Sequence, residues 1–412
     1  MTGRRAVITG IGLVSPCGNE LGELWQALKE GRSGIGVLSR FDPTGFACKV
    51  GGQVNDPSIS QLISPGMQRT LSHATQLGVA ALRLALAKVR LDFEAPDRVA
   101  LLVGSAIAGL KNTEQQFAVL FERGARRVNP FVANGSLPFA TAGELAACAG
   151  ARGYTATITT GCTASTQAIA LGRALIESGE AEVVLAGGAE SPLALTVFAS
   201  MGRTMELARD DTDPARACRP FDRRHNGMVL SEGACFVVLE ERERARQRGA
   251  HIWAEVLGGA SSCDGQGLFH SDTTGATGGA TVRQLLARLG LEAKHVSWLC
   301  AHANASPVFD LKETTVAKAA FGEWAPRIPV SSIKAVLGHP FGAAGAFQVA
   351  AACLAFQHQM IPPTHFLEEP AEGCDLDYVP QTPRPAPVEH VLVSSYGYGG
   401  VNSYLLLRHP EA

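Results

Sequence analysis

The sequence predicts an α/β protein with largely parallel strands. Short β-branched runs alternate with longer Ala/Leu-rich stretches along its 412 residues, and the longer stretches repeat their apolar residues at helical spacing. In the first part of the chain, strands are expected at 6–9, 99–103, 154–159, 182–186 and 235–239. The second part offers 253–257, 298–301, 329–331, 390–394 and 403–407. Helices are expected at 72–88, 163–178, 281–289, 310–321 and 342–357; in the second of these Ala168, Ile169, Leu171, Ala174 and Leu175 share one face. No low-complexity linker divides the chain. The softest boundary is the charged segment Glu240–Gly249, and strands alternate with helices on both sides of it. Two similar halves, 1–248 and 249–412, are therefore expected.

Hydrophobic residues make up 46% of the chain and charged residues 18%, enough for a large buried core. A formal charge of −2 argues against nucleic acid or another polyanion as the main partner. The opening MTGRRAVITGIGLVSPC has two arginines and a short apolar run. Glycines interrupt that run and no A-x-A site follows, so a buried first strand fits better than a signal peptide. No apolar stretch of about twenty residues occurs, so no membrane span is expected and a cytoplasmic protein is the reading. The ten cysteines include no CxxC pair and no Cys/His cluster at zinc-ligand spacing. Mostly buried, reduced thiols and no metal are expected.

One cysteine differs in its setting. Tyr154-Thr-Ala-Thr-Ile-Thr-Thr-Gly-Cys162-Thr-Ala-Ser-Thr reads as a strand, a tight glycine turn and a helix start. A thiol there lies at a helix N-terminus, where free N–H groups and the helix dipole favour the thiolate and can serve an oxyanion. A small buried hydrophobe at a strand end would give the same segment. Two histidine segments shift the balance. Cys300-Ala-His302-Ala-Asn304-Ala-Ser306-Pro307 places a histidine at a strand end. Ser332-Ile-Lys334-Ala-Val-Leu-Gly338-His339-Pro-Phe-Gly342 puts a lysine and a second histidine in a glycine-rich loop. A lone histidine at a strand end is usually structural, but this set on α/β loops is where chemistry collects.

Taken in order, the segments resemble the β-ketoacyl-(acyl-carrier-protein) synthases, the elongating condensing enzymes of fatty acid and type II polyketide synthesis. AVITGIGLVSPCG is similar to the opening strand and turn, VGSAIAGL to the pocket loop, and TGCTAST to the nucleophile motif. AGGAES and RPFDRRHNGMVLSEGACFVVLE follow. AHANASP resembles HGTSTP, KAVLGHPFGAAG resembles K-x4-GH-x2-GAAG, and SSYGYGGVNS resembles the GFGGTN loop. The resemblance implies a thiolase-like fold of two pseudo-symmetric βαβ-rich halves in α-β-α-β-α layers. The nucleophile would come from the first half and both histidines from the second. It further implies a dimer, either with itself or with a related ketosynthase-like subunit.

The same resemblance implies roles. Cys162 would take an acyl group from the phosphopantetheine of an acyl carrier protein, with no cofactor of the enzyme's own. Backbone N–H groups of Cys162 and Tyr398 would form the oxyanion hole. His302 and His339, as neutral donors, would hold the malonyl thioester and the enolate left by decarboxylation, and Lys334 would fix charge around them. Glu313 and Asp310 match supporting acidic positions; for Asp310 a helix-capping role is the plainer expectation. Asn304 and Ser306 would meet the pantetheine chain, Ile107 a pocket wall, and Tyr396 and Tyr398 the substrate. Arg69, Arg126, Arg127 and Arg209 would offer positive charge to an acidic carrier protein.

Departures from the family pattern are local. Asn304 and Ser306 replace two threonines, and Tyr396 and Tyr398 replace phenylalanines. A tyrosine hydroxyl buried in the pocket needs a partner. A degradative thiolase would be expected to carry a second cysteine near the 396–401 loop, where none stands, and a priming synthase an asparagine where His339 stands. A non-condensing partner subunit would usually lack the nucleophile.

Overall fold

The computed structural model describes residues 3–89, 91, 95–204, 206–209 and 212–412. Its main sheet has ten strands. The first half supplies β1 (Ala6–Val14), β2 (Val99–Gly104), β3 (Thr155–Ile158), β4 (Val183–Glu190) and β5 (Gly233–Glu241). The second supplies β6 (Ala254–Cys263), β7 (Trp298–Cys300), β8 (Val330–Ser331), β9 (His390–Gly397) and β10 (Val401–Arg408). All ten lie where apolar β-branched runs placed them.

In space the order is β8-β7-β9-β10-β6-β1-β5-β4-β2-β3. Counting outward from the β6/β1 seam, each half runs through its first, fifth, fourth, second and third strand. One topology is therefore used twice. The seam itself is only two residue pairs, Val7 with Glu255 and Ile8 with Ala254. The expectation of largely parallel strands holds for only part of each half. β2 and β4, β2 and β3, β7 and β9, and β7 and β8 pair in parallel. β5 and β10 run antiparallel to both their neighbours. For β10 the reason is a tight turn from β9 that reverses the chain, where a parallel partner needs a long crossover.

Helices fill both sides of each half. We label the five foreseen from sequence α1 (His73–Ala87), α2 (Ala164–Ser178), α3 (Ala276–Arg288), α4 (Pro307–Phe321) and α5 (Ala344–His358). α1 covers the outer face of the first half, and α3 and α4 cover that of the second. α2 and α5 contact each other and strands of both halves, which makes them the middle layer. Their composition suits that place: every residue of α5 from Ala344 to Phe356 is buried, and its many alanines let both sheets approach. A helix apolar on all sides has no solvent face to show. α2 and α5 each begin beside one of the two singled-out loops, so the middle layer brings Cys162 and His339 together.

Candidate active site

β3 ends at Ile158 and the chain turns through Thr160 and Gly161 into α2. Gly161 takes φ +62°, a conformation a β-carbon disfavours, and this sharp turn sets Cys162 at the helix start. Cys162 is only 6% exposed. The turn after β9 closes over it: a β-carbon on Gly397 would stand 3.2 Å from Thr160 O and 3.5 Å from Cys162 N. Glycine thus lets the Tyr398 turn lie directly against the nucleophile turn.

His339 Nε2 lies 3.1 Å from Cys162 Sγ. The His302 ring stands nearly perpendicular to His339, with centroids 5.2 Å apart. Both imidazoles are wholly buried. Among the described residues neither ring nitrogen of His302 has a hydrogen-bond partner, nor has Nδ1 of His339. Buried donors without partners are costly, so they mark a place where a ligand completes the hydrogen bonding. Burial, then the charge of Lys334, holds both histidines well below their ordinary range, so both are neutral.

Lys334 Nζ is buried and donates to His302 O at 2.6 Å. Burial pulls its ammonium down to about 8, against attraction from nearby groups including Cys300 and Glu313. Burial also pushes the Cys162 thiol up to about 12, only partly countered by Lys334. This corrects the expectation that the helix start alone favours a thiolate: taking the anion out of water outweighs the helix dipole. The proton has a receiver, the neutral imidazole of His339.

Glu313 is the bracket beneath His302. Its carboxylate accepts N–H bonds from His302 (2.6 Å) and Ala303 (3.4 Å), the Ser394 hydroxyl (2.8 Å) and the Tyr396 hydroxyl (3.0 Å). Asp310 does not cap its helix. It accepts N–H bonds from Asn304 (3.1 Å), Ala305 (3.2 Å) and Phe221 (2.7 Å), and pairs with His225 Nδ1 at 2.8 Å. It sits one turn into α4, where its side chain reaches back to the loop rather than to the helix's own first N–H groups. That loop is strained, with Ala305 at φ +70°, so it needs such a clamp. Gln348 of α5 adds another, donating to Cys300 O, Ala301 O and Ser394 O at 2.9–3.1 Å.

The remaining expected residues divide. Ile107 and Tyr398 pack on the apolar cluster that contains Cys162, Phe198 and Phe341. Burial, then the nearby Glu206 carboxylate, drives the Tyr398 phenol upward. Asn304 is buried, its Nδ2 unpartnered among the described residues, and Ser306 is partly exposed. Tyr396 is not presented to the pocket: it is fully buried behind His302 with its hydroxyl committed to Glu313. Arg69, Arg126 and Arg127 form one exposed group, since Asn129 Nδ2 donates to Arg69 O at 3.0 Å and so ties the 125–127 turn to the helix Pro65–Thr70. Arg209 belongs to another segment, its N–H bonded to Asn226 Oδ1 at 3.3 Å. Reading by motif missed Glu206, His225, Gln348 and the buried pair Asp264–Lys312, because their partners are distant in sequence. Among the described residues no cluster could hold a metal ion.

A buried thiol against one neutral imidazole, with a second imidazole and an ammonium behind it, on a topology used twice, defines the thiolase-fold condensing class. The chain belongs to the β-ketoacyl synthase family: residues 3–245 match the Beta-ketoacyl synthase N-terminal domain and residues 253–368 the C-terminal domain. It is 34% identical to the 3-oxoacyl-[acyl-carrier-protein] synthase 2 of Synechocystis sp., over 98% of both chains. It is 35% identical to the tetracenomycin polyketide synthase ketoacyl synthase alpha subunit of Streptomyces glaucescens, over 99% of this chain and 98% of that one. Among solved structures, the ishigamide ketosynthase/chain length factor superposes with a TM-score of 0.91 at 30% identity, covering 98% of this chain and 99% of that chain.

Proposed function

We propose that this β-ketoacyl synthase elongates an acyl chain by decarboxylative Claisen condensation, with Cys162 as nucleophile and His302 and His339 as the decarboxylating pair. The observation that carries this reading is the 3.1 Å approach of His339 Nε2 to Cys162 Sγ, with His302 beside it and its ring nitrogens unpartnered. His339 receives the thiol proton as sulfur attacks the incoming thioester, and the N–H groups of Cys162 and Tyr398 hold the oxyanion. The acyl group stays on sulfur and the carrier thiol leaves with a proton. Malonyl thioester then seats its carbonyl on the two histidines. Loss of CO2 leaves an enolate that these neutral donors stabilise, and its carbon attacks the acyl-Cys162 thioester. The products are CO2 and a β-ketoacyl thioester, with the cysteine freed.

The substrates come as thioesters on an acyl carrier protein, which brings the only prosthetic group the chemistry needs; no resident cofactor or metal is invoked. The carrier would dock on the basic group Arg69, Arg126 and Arg127, none of which is ion-paired among the described residues. Asn304 and Ser306 would meet its pantetheine arm. Activity resides in two halves divided near residue 248, the first carrying Cys162 and the second both histidines. A second subunit, a copy or a related ketosynthase-like chain, would seat on the edge strand β3, beside which the helix Pro138–Ala149 leaves Phe139 more than half exposed. The site of action would be the cytoplasm; the structural fact behind this is that no described helix is long and apolar enough to cross a membrane. Incubation with a panel of saturated, unsaturated and aromatic acyl carrier proteins plus malonyl-acyl carrier protein tests the reading. A β-ketoacyl product two carbons longer supports it. CO2 release with no condensed product from any member of the panel overturns it.

A further inference from the structure

The Tyr398 turn must hold its N–H within reach of an oxyanion on Cys162, yet Gly399 and Gly400 give it little stiffness of its own; both take positive φ, +83° and +76°. Its position is set from outside. Asp264 N–H donates to Gly400 O at 2.8 Å, and Gly399 N–H donates to Leu268 O at 2.9 Å. The Asp264 carboxylate accepts from Asn402 Nδ2 at 2.8 Å, just beyond the turn, and from Asp272 N–H at 2.9 Å. Asp264 in turn is held by Lys312 Nζ at 2.6 Å, and the two side chains are 0% and 1% exposed. Lys312 stands on α4 immediately before Glu313, the residue that brackets the His302 backbone. Between them lies Tyr396, its hydroxyl on Glu313 and its ring 5.1 Å from the Lys312 ammonium.

One helix turn therefore grips both sides of the site: Lys312 reaches the Tyr398 turn through Asp264, and Glu313 reaches His302. Two charges this deeply buried give up their hydration, and an apolar pair of equal volume can pack as stably. What the ion pair adds is a fixed register. We infer that Lys312 and Asp264 are positioning residues that set the Tyr398 turn against Cys162, while leaving the histidine pair to Glu313. The inference rests on the ketosynthase reading only for its kinetic arm.

The test uses full-length Lys312→Met and, because one unpaired buried charge can impair folding, the charge-free double variant Lys312→Met/Asp264→Asn. Three quantities are compared with the unaltered protein: loading of octanoyl from octanoyl-acyl carrier protein onto Cys162, CO2 release from malonyl-acyl carrier protein, and amide exchange of peptides covering 397–402. Displacing an oxyanion donor by even about 1 Å costs on the order of a hundredfold, so loading should fall at least about tenfold. CO2 release, which the histidines serve, should stay within about threefold. Exchange at 397–402 should quicken, a readout independent of any activity. Loading at the unaltered rate with unchanged exchange in the double variant overturns the inference. Equal loss of loading and CO2 release overturns it too, since that marks general damage. If the unaltered protein itself fails to load octanoyl or any other chain, the ketosynthase reading falls, and the exchange arm alone still decides the role of the pair.

Discussion

Lys334→Met should make the protein more stable and less active at once. The ammonium is fully buried, and its pKa falls from the ordinary 10.5 to about 8 because burial outweighs every attraction around it. Such a drop corresponds to about 3 kcal/mol of destabilisation at neutral pH. Methionine replaces the aliphatic stem, one atom shorter, and removes the charge, at the cost of leaving the buried His302 O unpaired, about 1 kcal/mol. The net expectation is about 2 kcal/mol of added stability at pH 7. The sign in pH follows from the direction of the shift. A lysine whose folded pKa is lowered binds fewer protons folded than unfolded, so its penalty is complete below about pH 8 and fades as pH rises towards about 10.5. The gap between variant and unaltered protein should shrink over that window. Urea unfolding of both proteins across it measures the gap. In parallel, condensation should fall at least about tenfold, because the ammonium that holds the His302 backbone has gone, although burial alone still keeps both imidazoles neutral. A variant that is less stable at pH 7, or a gap that widens with pH, refutes the reasoning.

Further expectations concern the proposed roles. His302→Ala or His339→Ala should slow malonyl decarboxylation by about two orders of magnitude or more, read as CO2 release; an unchanged rate removes that histidine from the step. Reversing Arg126 and Arg127 to glutamate should raise KM for the carrier-bound substrate by about tenfold at low salt with kcat little changed, and the effect should fade in high salt. Tyr398→Phe removes a hydroxyl from the apolar cluster around Cys162 and should shift loading towards saturated over polar chains by up to about tenfold, measured by competition between the two substrates.

Local pattern foretold every strand of the main sheet, because a strand packed in the sheet leaves a short apolar or β-branched run in the sequence even where glycines interrupt it. Pairing was less legible: β5 and β10 run antiparallel because of how their neighbours return, which no single segment encodes. Cys162, His302, Lys334 and His339 were visible because glycines and small residues around them leave a mark in sequence. Their supports were not. Glu313 and Asp310 showed as acidic positions, yet Asp310 as a loop clamp depends on Phe221 and His225, some 85–89 residues away. Asp264 meets Lys312 across 48 residues, and Glu206 bears on Tyr398 from 192 residues away. The raised thiol of Cys162 also eluded the sequence, since burial is a property of the closed fold and not of the turn.

The central claim is that Cys162 carries the acyl chain. Intact-protein mass spectrometry after incubation with acyl-acyl carrier protein should show one acyl group per chain, mapped to the peptide holding Cys162, and none on Cys162→Ala. An adduct that persists in that variant, or no adduct on Cys162 with any acyl chain tried, would contradict it.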